Sequence, residues 1–483
     1  MVWREWKAWA TSWAEAAKCQ SYHSNASTHP KDARPPVSRL PSPVSRLLFP
    51  ATRYLLPENM GILIPLLLIF FCCLIIWRAC DGFEYASEYI GRHMSEGVRG
   101  STINAISSSL PELFTTLIAL FVLRDQDGFA IGIGTTAGSA LFNGMIIPAL
   151  CILMVTGAAI KTVDVSSKVI WRDGAALILA QILLVVILTS HSLVWWQGLL
   201  LMVFYLIYLW YMIGSMKKLS PEEKLNSPDD EEEEDSDDTR GPIASFFYYL
   251  SLGRLLDLEH FFICDNARAK IKSETWNGWP LLLTSAGVIG IACWMLVLAC
   301  EWLGTGPANT LHPSYELFDY TFAGIGMPAM FVAVIFAAMA TSVPDTIISL
   351  RDARDGDYDD AVANALGSNI FDICFALGFP LFLFTLIYGP IQMSAETIEQ
   401  SGELRFILLG LTLISALAFL IGKKIKSPQG TKLIGLGRGN AYFLLSLYAV
   451  FLVYIIGRAY NAAWTQTVSA WINSFLEILP QLN

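Results

Sequence analysis

The sequence is short of charge: only 15% of its 483 residues are Asp, Glu, Lys or Arg, whereas 54% are hydrophobic. A soluble protein of this length needs far more polar surface than such a composition supplies. The apolar residues also gather in blocks of about 20, the length that crosses the hydrocarbon core of a bilayer. The shortage therefore excludes a soluble protein and predicts one that crosses the membrane several times.

Paired metal-binding or disulfide-forming cysteines are also lacking. The nine cysteines include no CxxC pair, and most of them lie inside apolar stretches. This pattern indicates neither a disulfide framework nor a zinc site, and it is typical of cysteines that act as small buried apolar residues. Residues 1–57 lack the apolar core of a secretory signal. We expect a poorly ordered tail there, with an interfacial helix or an over-extended gene start as the alternatives.

The hydrophobic blocks after this tail predict ten membrane-spanning helices. They fall at about 58–78, 100–123, 129–157, 170–190, 193–214, 279–303, 320–350, 361–388, 404–422 and 441–463. The chain then divides into five parts. These are the tail at 1–57, a first five-helix repeat at 58–214, an acidic loop at 215–278, a second five-helix repeat at 279–465, and a C-terminal tail at 466–483.

The loop at 215–278 contains a run of acidic residues. Nine of the ten residues at 229–238 are Asp or Glu. Such a block repels itself and stays solvated, and it lacks the spacing of an EF-hand, although a regulatory Ca²⁺ site there is conceivable. The aromatic, amphipathic stretch at 246–262 is typical of a helix that lies in the membrane interface.

The distribution of Lys and Arg predicts the orientation of the spans. Alternate loops, namely one–two, three–four, five–six, seven–eight and nine–ten, hold three, three, eight, two and five basic residues. The opposite side holds only Arg124, Arg405 and Arg458 outside the tail. Because basic loops stay on the cytoplasmic side, we expect these five loops in the cytoplasm of a multi-pass protein of the cell membrane, with both termini outside.

A motif occurs twice in the chain. Ser-x-Pro-acid within 104–112 precedes Gly-Ser-x-x-Phe-Asn at 138–143, and the same motif within 336–345 precedes Gly-Ser-x-x-Phe-Asp at 367–372. The charge distribution gives the two helix pairs opposite directions through the membrane. The sequence therefore predicts an all-α membrane protein of about ten transmembrane helices in two inverted-topology repeats, with the functional site at the midplane where the repeats meet.

The residue types in this motif suit a hard cation. Pro111 and Pro344 each free a backbone carbonyl, and a hydroxyl stands four residues before each key polar group, which predicts that both lie on one helix face. The pairs are Ser108 with Glu112, Ser139 with Asn143, Thr341 with Asp345, and Ser368 with Asp372. Three carboxylates with hydroxyl and carbonyl oxygens, and neither His nor Cys, favour Ca²⁺ or Na⁺ over a transition metal.

At these residues the sequence resembles the Ca²⁺/cation antiporter superfamily, specifically the sodium/calcium exchangers. The resemblance implies that Glu112 and Asp345 are the central Ca²⁺ ligands, shared with Na⁺, and that Asn143 and Asp372 flank them. It further implies that oxygens of eight more residues serve neighbouring ion positions: Ser108, Ser109, Thr341, Ser342, Ser139, Ser368, Ala105 and Ala338. The combination of Glu112, Asp345 and Asp372 is also similar to the potassium-dependent branch.

The resemblance implies a transporter and not an enzyme. This transporter is expected to exchange Ca²⁺ for Na⁺ by alternating access and to use no cofactor. Whether K⁺ takes part stays open. The expected partners of the chain are inorganic cations and the lipid bilayer, with no nucleic acid; the sequence does not give the oligomeric state. One alternative is an H⁺/Ca²⁺ exchanger of the same superfamily, in which the carboxylates titrate instead of binding Na⁺. A distant alternative is an intramembrane aspartyl protease, whose paired acids activate water.

Overall fold

The computed structural model of the chain describes residues 60–90, 105–123, 126–157, 160–215, 256–258, 262–263, 277–306, 313–317, 320–393, 395–426 and 432–476. The predicted tail at 1–57, the acidic run at 229–238 and most of the predicted interfacial helix at 246–262 lie outside the described residues.

The described residues of the first half of the chain form seven helices. They are α1 (Met60–Ile90), α2 (Ala105–Ser108), α3 (Leu110–Ile118), α4 (Gln126–Leu141), α5 (Ile147–Val155), α6 (Ser167–Ile187) and α7 (Trp195–Ser215). Two π-helical segments interrupt them: Ala119–Leu123 prolongs α3, and Phe142–Ile146 joins α4 to α5.

The second half forms nine helices in the part that the structure describes. They are α8 (Trp279–Gly304), α9 (Ala329–Val332), α10 (Ala338–Thr341), α11 (Val343–Asp355), α12 (Tyr358–Phe371), α13 (Gly378–Tyr388), α14 (Ala395–Leu420), α15 (Arg438–Ala459) and α16 (Ala463–Leu476). π-Helical segments at Ala333–Ala337 and Asp372–Ala376 join α9 to α10 and α12 to α13.

Each of the ten predicted spans coincides with a helical segment. Among the described residues, eight helices are long and apolar enough to cross a bilayer, and a ninth span is the bent pair Ala329–Thr341 and Val343–Asp355. The tenth, Leu110–Val122, is a shorter apolar helix. The prediction of an all-α membrane protein in two inverted repeats is confirmed. Five spans in each half give the second half the opposite direction.

Several boundaries differ from the predicted ones. Span one continues to Ile90 instead of ending near residue 78, so Arg78 lies within α1 and not in loop one–two. Span nine begins at Ala395, so Arg405 is not a loop residue but lies fully buried within α14. Its guanidinium donates to the carbonyl oxygens of Ser401 and Val185, at 2.7 and 2.9 Å, which satisfies a charge that the bilayer would exclude. The segment predicted as a C-terminal tail is helical as far as Leu476.

Seven short strands pair within the described parts of the loops. They are β1 (Val163–Ser166), β2 (Ser192–Leu193), β3 (Tyr315–Leu317), β4 (Tyr320–Phe322), β5 (Ile391–Gln392), β6 (Lys423–Lys426) and β7 (Lys432–Leu436). All pairings are antiparallel, in the order β1-β7-β6, β2-β5 and β3-β4.

Contacts between loops agree with spans that alternate in direction, because loops expected on the same side of the membrane contact one another. Strand β1 of loop three–four pairs with β7 of loop nine–ten, and the Ser166 amide of the former donates to Asp359 at the start of span eight. Arg78, in the C-terminal half of α1, pairs with Asp257 of the long loop at 3.3 Å. The other set of loops is joined by β2 and β5. The assignment of the basic set to the cytoplasm stays a prediction.

The first helices of the two halves, α1 and α8, pack along each other more extensively than any other pair of elements among the described residues. The interior of the bundle is formed by α4 and α12, the helices that carry the Gly-Ser motifs, together with the broken helices beside them. Two glycines allow this close packing: a Cβ on Gly134 would lie 2.4 Å from the Met330 carbonyl oxygen, and one on Gly138 would lie 2.3 Å from that of Val334. Small residues at this spacing let helix backbones approach inside a membrane.

Candidate functional site

Each half contains a broken helix at its acidic motif. The α-helix stops at Ser109 (φ −96°, ψ 8°) in the first half and at Ser342 (φ −81°, ψ 3°) in the second. Pro111 and Pro344 follow within the first turn of the next helix, where a missing N–H costs nothing. The second break bends the span by 44°. Irregular backbone of this kind is tolerated at membrane depth only where it is buried in protein or lines a cavity.

The two breaks place an acid at the N-terminus of a helix in each half. Glu112 lies in the first turn of α3 and Asp345 in the first turn of α11, and both side chains are completely buried. The unsatisfied N–H groups and the helix dipole favour negative charge at this position. The fold thus compensates part of the cost of two carboxylates in the bilayer.

The flanking polar groups lie in π-helical turns. Asn143 falls within Phe142–Ile146, and Asp372 begins Asp372–Ala376. Both side chains are completely buried. A π-turn inserts one residue into a helix and is frequent at functional sites, because it shifts the side chains that follow.

Corresponding hydroxyls bind the central acids within each half. In the first half the Ser139 hydroxyl donates to Glu112 Oε1 at 3.2 Å. In the second half the Ser368 hydroxyl donates to Asp345 Oδ1 at 2.7 Å. The duplicated motif therefore produces a duplicated contact between the Gly-Ser helix and the acid of the broken helix.

Further hydrogen bonds cross between the halves. The Asn143 amide donates to Asp345 Oδ2 at 2.9 Å, and the hydroxyls of Ser139 and Ser342 are 2.9 Å apart. The hydroxyls of Ser108 and Ser368 are 3.4 Å apart. The two repeats thus contribute to one polar cluster at the centre of an otherwise apolar bundle.

The cluster is asymmetric at the polar residue that ends each Gly-Ser motif. The Asn143 amide supplies a donor to Asp345, but the equivalent residue of the second half is the carboxylate Asp372, which has no proton to offer to Glu112 when ionised. Asp372 Oδ2 accepts a hydrogen bond from Ser139 at 3.0 Å, so this one hydroxyl contacts both carboxylates. Among the described residues, Glu112 Oε2, Asp372 Oδ1 and Asn143 Oδ1 are buried without a hydrogen-bond partner.

Buried carboxylate oxygens without donors are costly, and a bound cation is the usual way to offset that cost. The oxygens left free here are carboxylate and amide oxygens, which are the ligands that Ca²⁺ and Na⁺ prefer. Within the described ranges, no three Cys, His, Asp or Glu side chains lie close enough together to form a metal site by themselves. Hydroxyl and amide groups stand between the carboxylates instead.

The predicted pairing of each hydroxyl with the polar group four residues later is wrong in the broken helices. Ser139 does contact Asn143, at 3.4 Å. However, the Ser108 hydroxyl lies beside Asp345 of the other half and the Thr341 hydroxyl lies beside Glu112. The breaks at residues 109 and 342 fall between hydroxyl and acid, so helical spacing no longer relates the two.

The remaining predicted residues also lie at or near the cluster. The Ser109 hydroxyl lies beside Asp372. The Ala338 carbonyl, expected to be available for an ion, accepts hydrogen bonds from the Ser342 amide at 3.0 Å and the Thr341 hydroxyl at 3.3 Å. Ala105 begins α2, three residues before Ser108.

Asn369 is a residue of the cluster that the sequence analysis did not select. It is completely buried, its amide donates to the Ala140 carbonyl of the first half at 2.9 Å, and its Oδ1 has no partner among the described residues. The signal was present, because Asn369 is the Asn of the second Gly-Ser-Asn motif whereas the first motif has Ala140.

A fold of two inverted repeats that enclose a shared buried oxygen cluster defines the class of secondary membrane transporters. The family model described as "Sodium/calcium exchanger protein" matches residues 64–214 and 280–457, more than half of the chain. The chain belongs to the sodium/calcium exchanger protein family, as the sequence analysis predicts. The members of this family are transporters, so the prediction that the chain is not an enzyme is confirmed.

Individual relatives are less similar. Sodium/potassium/calcium exchanger 3 of Rattus norvegicus is 31% identical over 189 residues, which is 38% of this chain and 26% of that protein. Sodium/potassium/calcium exchanger 5 of Homo sapiens is 26% identical over 413 residues, 74% of this chain and 77% of that protein. The matched region thus spans about a quarter of the length of the first of these relatives.

Two kinds of solved structure are similar to the chain. The sodium-calcium exchanger NCX_Mj, soaked with 2.5 mM Na⁺ and 0.1 mM Ca²⁺, has a TM-score of 0.44 and 19% identity, covering 81% of this chain and 98% of that one. The H⁺/Ca²⁺ exchanger CAX has a TM-score of 0.45 and 10% identity, covering 87% of this chain and 93% of that one.

Proposed function

We propose that the chain is a secondary active antiporter that exchanges Ca²⁺ for Na⁺ across the cell membrane. The observation that supports this most strongly is the pair of partnerless carboxylate oxygens, Glu112 Oε2 and Asp372 Oδ1, whose side chains share the Ser139 hydroxyl. Two buried acids next to one hydroxyl repel each other unless a cation or a proton accompanies them. Ca²⁺ binds between these oxygens and the Asp345 carboxylate, with Asn143 Oδ1 and nearby hydroxyls as further ligands.

Exchange follows from competition for the same oxygens. With the site empty, the buried carboxylates carry an uncompensated charge, and the halves would have to move against each other at that cost. Binding of either one Ca²⁺ or several Na⁺ removes the excess charge, so the loaded forms are the ones that change access. The cargo ions are therefore substrates, and no resident cofactor takes part.

Two further features belong to the same proposal: the orientation of the chain in the membrane and the use of K⁺. The basic loops face the cytoplasm, because they hold most of the Lys and Arg residues of the chain. K⁺ accompanies Ca²⁺. This part of the proposal is supported by Asp372 at the end of the second Gly-Ser motif and by the relatives named as sodium/potassium/calcium exchangers.

The competing function is H⁺/Ca²⁺ exchange, in which Glu112 and Asp372 share protons instead of Na⁺. Ca²⁺ uptake into vesicles that contain the purified chain separates the two. We expect uptake to require an outward Na⁺ gradient and to persist when an ionophore collapses the pH gradient. Uptake that follows the pH gradient and is indifferent to Na⁺ would instead establish the proton-coupled exchanger.

A further inference from the structure

The hairpin of β6 and β7 carries three lysines, which we call the lysine edge: Lys424 and Lys426 on β6, and Lys432 opposite Lys426 at the start of β7. Strand β6 is the edge strand of the order β1-β7-β6. The register places Lys426 opposite Lys432 and Lys424 opposite Ile434. Directly opposed residues share a face in an antiparallel pair, and alternate residues of a strand share a face, so all three lysines lie on the face that contains Ile434.

This same face packs against the membrane domain. Ile434 and Leu436 of β7, and Val163 and Val165 of β1, belong to the apolar core that the spans form. By alternation they share a face with the lysine edge. Lys424 and Lys432 therefore extend from the side of the sheet that is turned toward the bilayer, not from the side turned toward the solvent.

The hairpin also lies at the lipid boundary. Ile421, two residues before β6, is 79% exposed, and Tyr442, in the second turn of α15, is 60% exposed. Large apolar side chains this exposed on a membrane-spanning bundle contact acyl chains or the interface, where tyrosine is enriched. The lysine edge thus stands within a few residues of the level at which lipid headgroups lie.

Two of the lysines lack a partner of opposite charge among the described residues. Lys424 and Lys432 are exposed and form no ion pair with the described residues. The nearby Asp164 lies on the opposite face of the sheet and accepts a hydrogen bond from Thr162, whereas Asp359 accepts one from the Ser166 amide. Like charges directly opposite each other, as at Lys426 and Lys432, destabilise a strand pair unless an anion lies between them.

We propose that the lysine edge binds the headgroups of anionic phospholipids. A phosphate or carboxylate at headgroup depth neutralises the opposed lysines and holds β6 against the membrane surface. Because β7 joins β6 to β1, the bound lipid anchors one sheet that has strands from both halves of the transporter. The inference depends on the membrane placement of the chain and not on which ions it carries.

The test measures lipid binding to the full chain in detergent micelles, where both sides are accessible and transport is not required. Dansyl-labelled phosphatidylserine is titrated, energy transfer from the protein's tryptophans gives an apparent Kd, and dansyl-labelled phosphatidylcholine is the uncharged reference. The variant is K424Q/K426Q/K432Q. The matched control is K423Q, which removes a lysine of the same strand on the opposite face.

We expect the chain to bind phosphatidylserine more tightly than phosphatidylcholine, with a preference that weakens as salt is added. The triple variant should lose about fivefold in affinity for phosphatidylserine for each lysine removed, and K423Q should lose less than twofold. Equal binding of both lipids by the unmodified chain, or an equal loss in K423Q, would overturn the proposal.

One further variant tests a rival occupant, the acidic run at 229–238 of the chain itself. Its Asp and Glu residues are replaced by Asn and Gln. If the run occupied the lysine edge, phosphatidylserine binding would be absent in the unmodified chain and would emerge in this variant, which would refute lipid as the resident partner. Unchanged binding in this variant supports the lipid.

Discussion

The amide of Asn143, in the first half of the chain, donates a 2.9 Å hydrogen bond to Asp345 in the second half. The inverted repeat has no equivalent of this bond on its other side, because Asp372 replaces the amide and faces Glu112 as a second carboxylate. One side of the cluster is therefore closed by the protein's own hydrogen bonds. The other side needs a cation.

The first prediction concerns the central acids. Glu112→Gln or Asp345→Asn should reduce Ca²⁺ flux by at least about tenfold, because each removes a buried charge that compensates the ion. Flux into reconstituted vesicles is the measurement, with thermal unfolding as the check on folding. Asp164→Asn, in the β1 strand away from the cluster, is the matched control and should leave the flux unchanged. Wild-type flux in either cluster variant would disprove their roles as ligands.

A second prediction follows from the asymmetry. Asp372→Asn gives the second half the amide that the first half already has, so its NH₂ group can donate to Glu112 Oε2 and satisfy the oxygen that the ion would otherwise bind. We expect the variant to change the monovalent ion that drives exchange, measured as Ca²⁺ flux against Na⁺ and K⁺ gradients. Identical Na⁺ and K⁺ dependence in the variant and the unmodified chain would count against this role of Asp372.

The third prediction concerns the packing of the two halves. Gly138→Ala would place a Cβ 2.3 Å from the Val334 carbonyl oxygen and 2.6 Å from the Ala338 Cβ, contacts that require the backbone to move. We expect a loss of about 1–3 kcal/mol in stability, seen as a lower unfolding temperature in detergent. Gly174→Ala is the control, since a Cβ there meets no atom within 4 Å and alanine favours the helix. Equal melting temperatures for the two variants would contradict the close approach.

A fourth prediction concerns the two ion pairs of Arg458. Arg458 of α15 binds Glu403 of α14 at 2.9 Å, and the Ser469 hydroxyl of α16 donates to the same buried carboxylate. Arg458→Ala leaves the Glu403 charge without its partner and should cost about 3 kcal/mol, measured by thermal unfolding. Glu399→Gln removes the exposed partner of the same arginine, at 2.9 Å, and should cost less than about 1 kcal/mol. A larger loss of stability in Glu399→Gln than in Arg458→Ala would refute the claim that the buried pair contributes more than the exposed one.

The spans and the duplicated motif could be predicted from sequence because each has a strong local signal. An apolar block of bilayer length has few alternatives, and a Ser-x-Pro-acid motif that occurs twice in opposite orientations constrains where the halves meet. The sequence therefore predicts that Glu112 and Asp345 lie in one cluster. The network of hydrogen bonds around them could not be predicted, because the breaks at Ser109 and Ser342 rotate the hydroxyls away from helical register.

Other features lacked a local signal altogether. Strands β1 to β7 have at most five residues and form only because spans from distant parts of the sequence end next to each other. Helix α16 exposes Trp464 and Trp471 and buries Thr465 and Ser469, a mixture of apolar and polar residues that predicts no span. Asn369 was overlooked because the motif in the first half has an alanine at the matching position.

The central claim, that both halves form one Ca²⁺ site, is tested most directly by equilibrium Ca²⁺ binding to the purified chain. Titration calorimetry should detect a saturable site that Na⁺ displaces, and either Glu112→Gln or Asp345→Asn alone should abolish it. Asp164→Asn should bind as the unmodified chain does. If each acid variant instead kept a Ca²⁺ site of undiminished affinity, the two carboxylates would not act on a common ion and the account would fail.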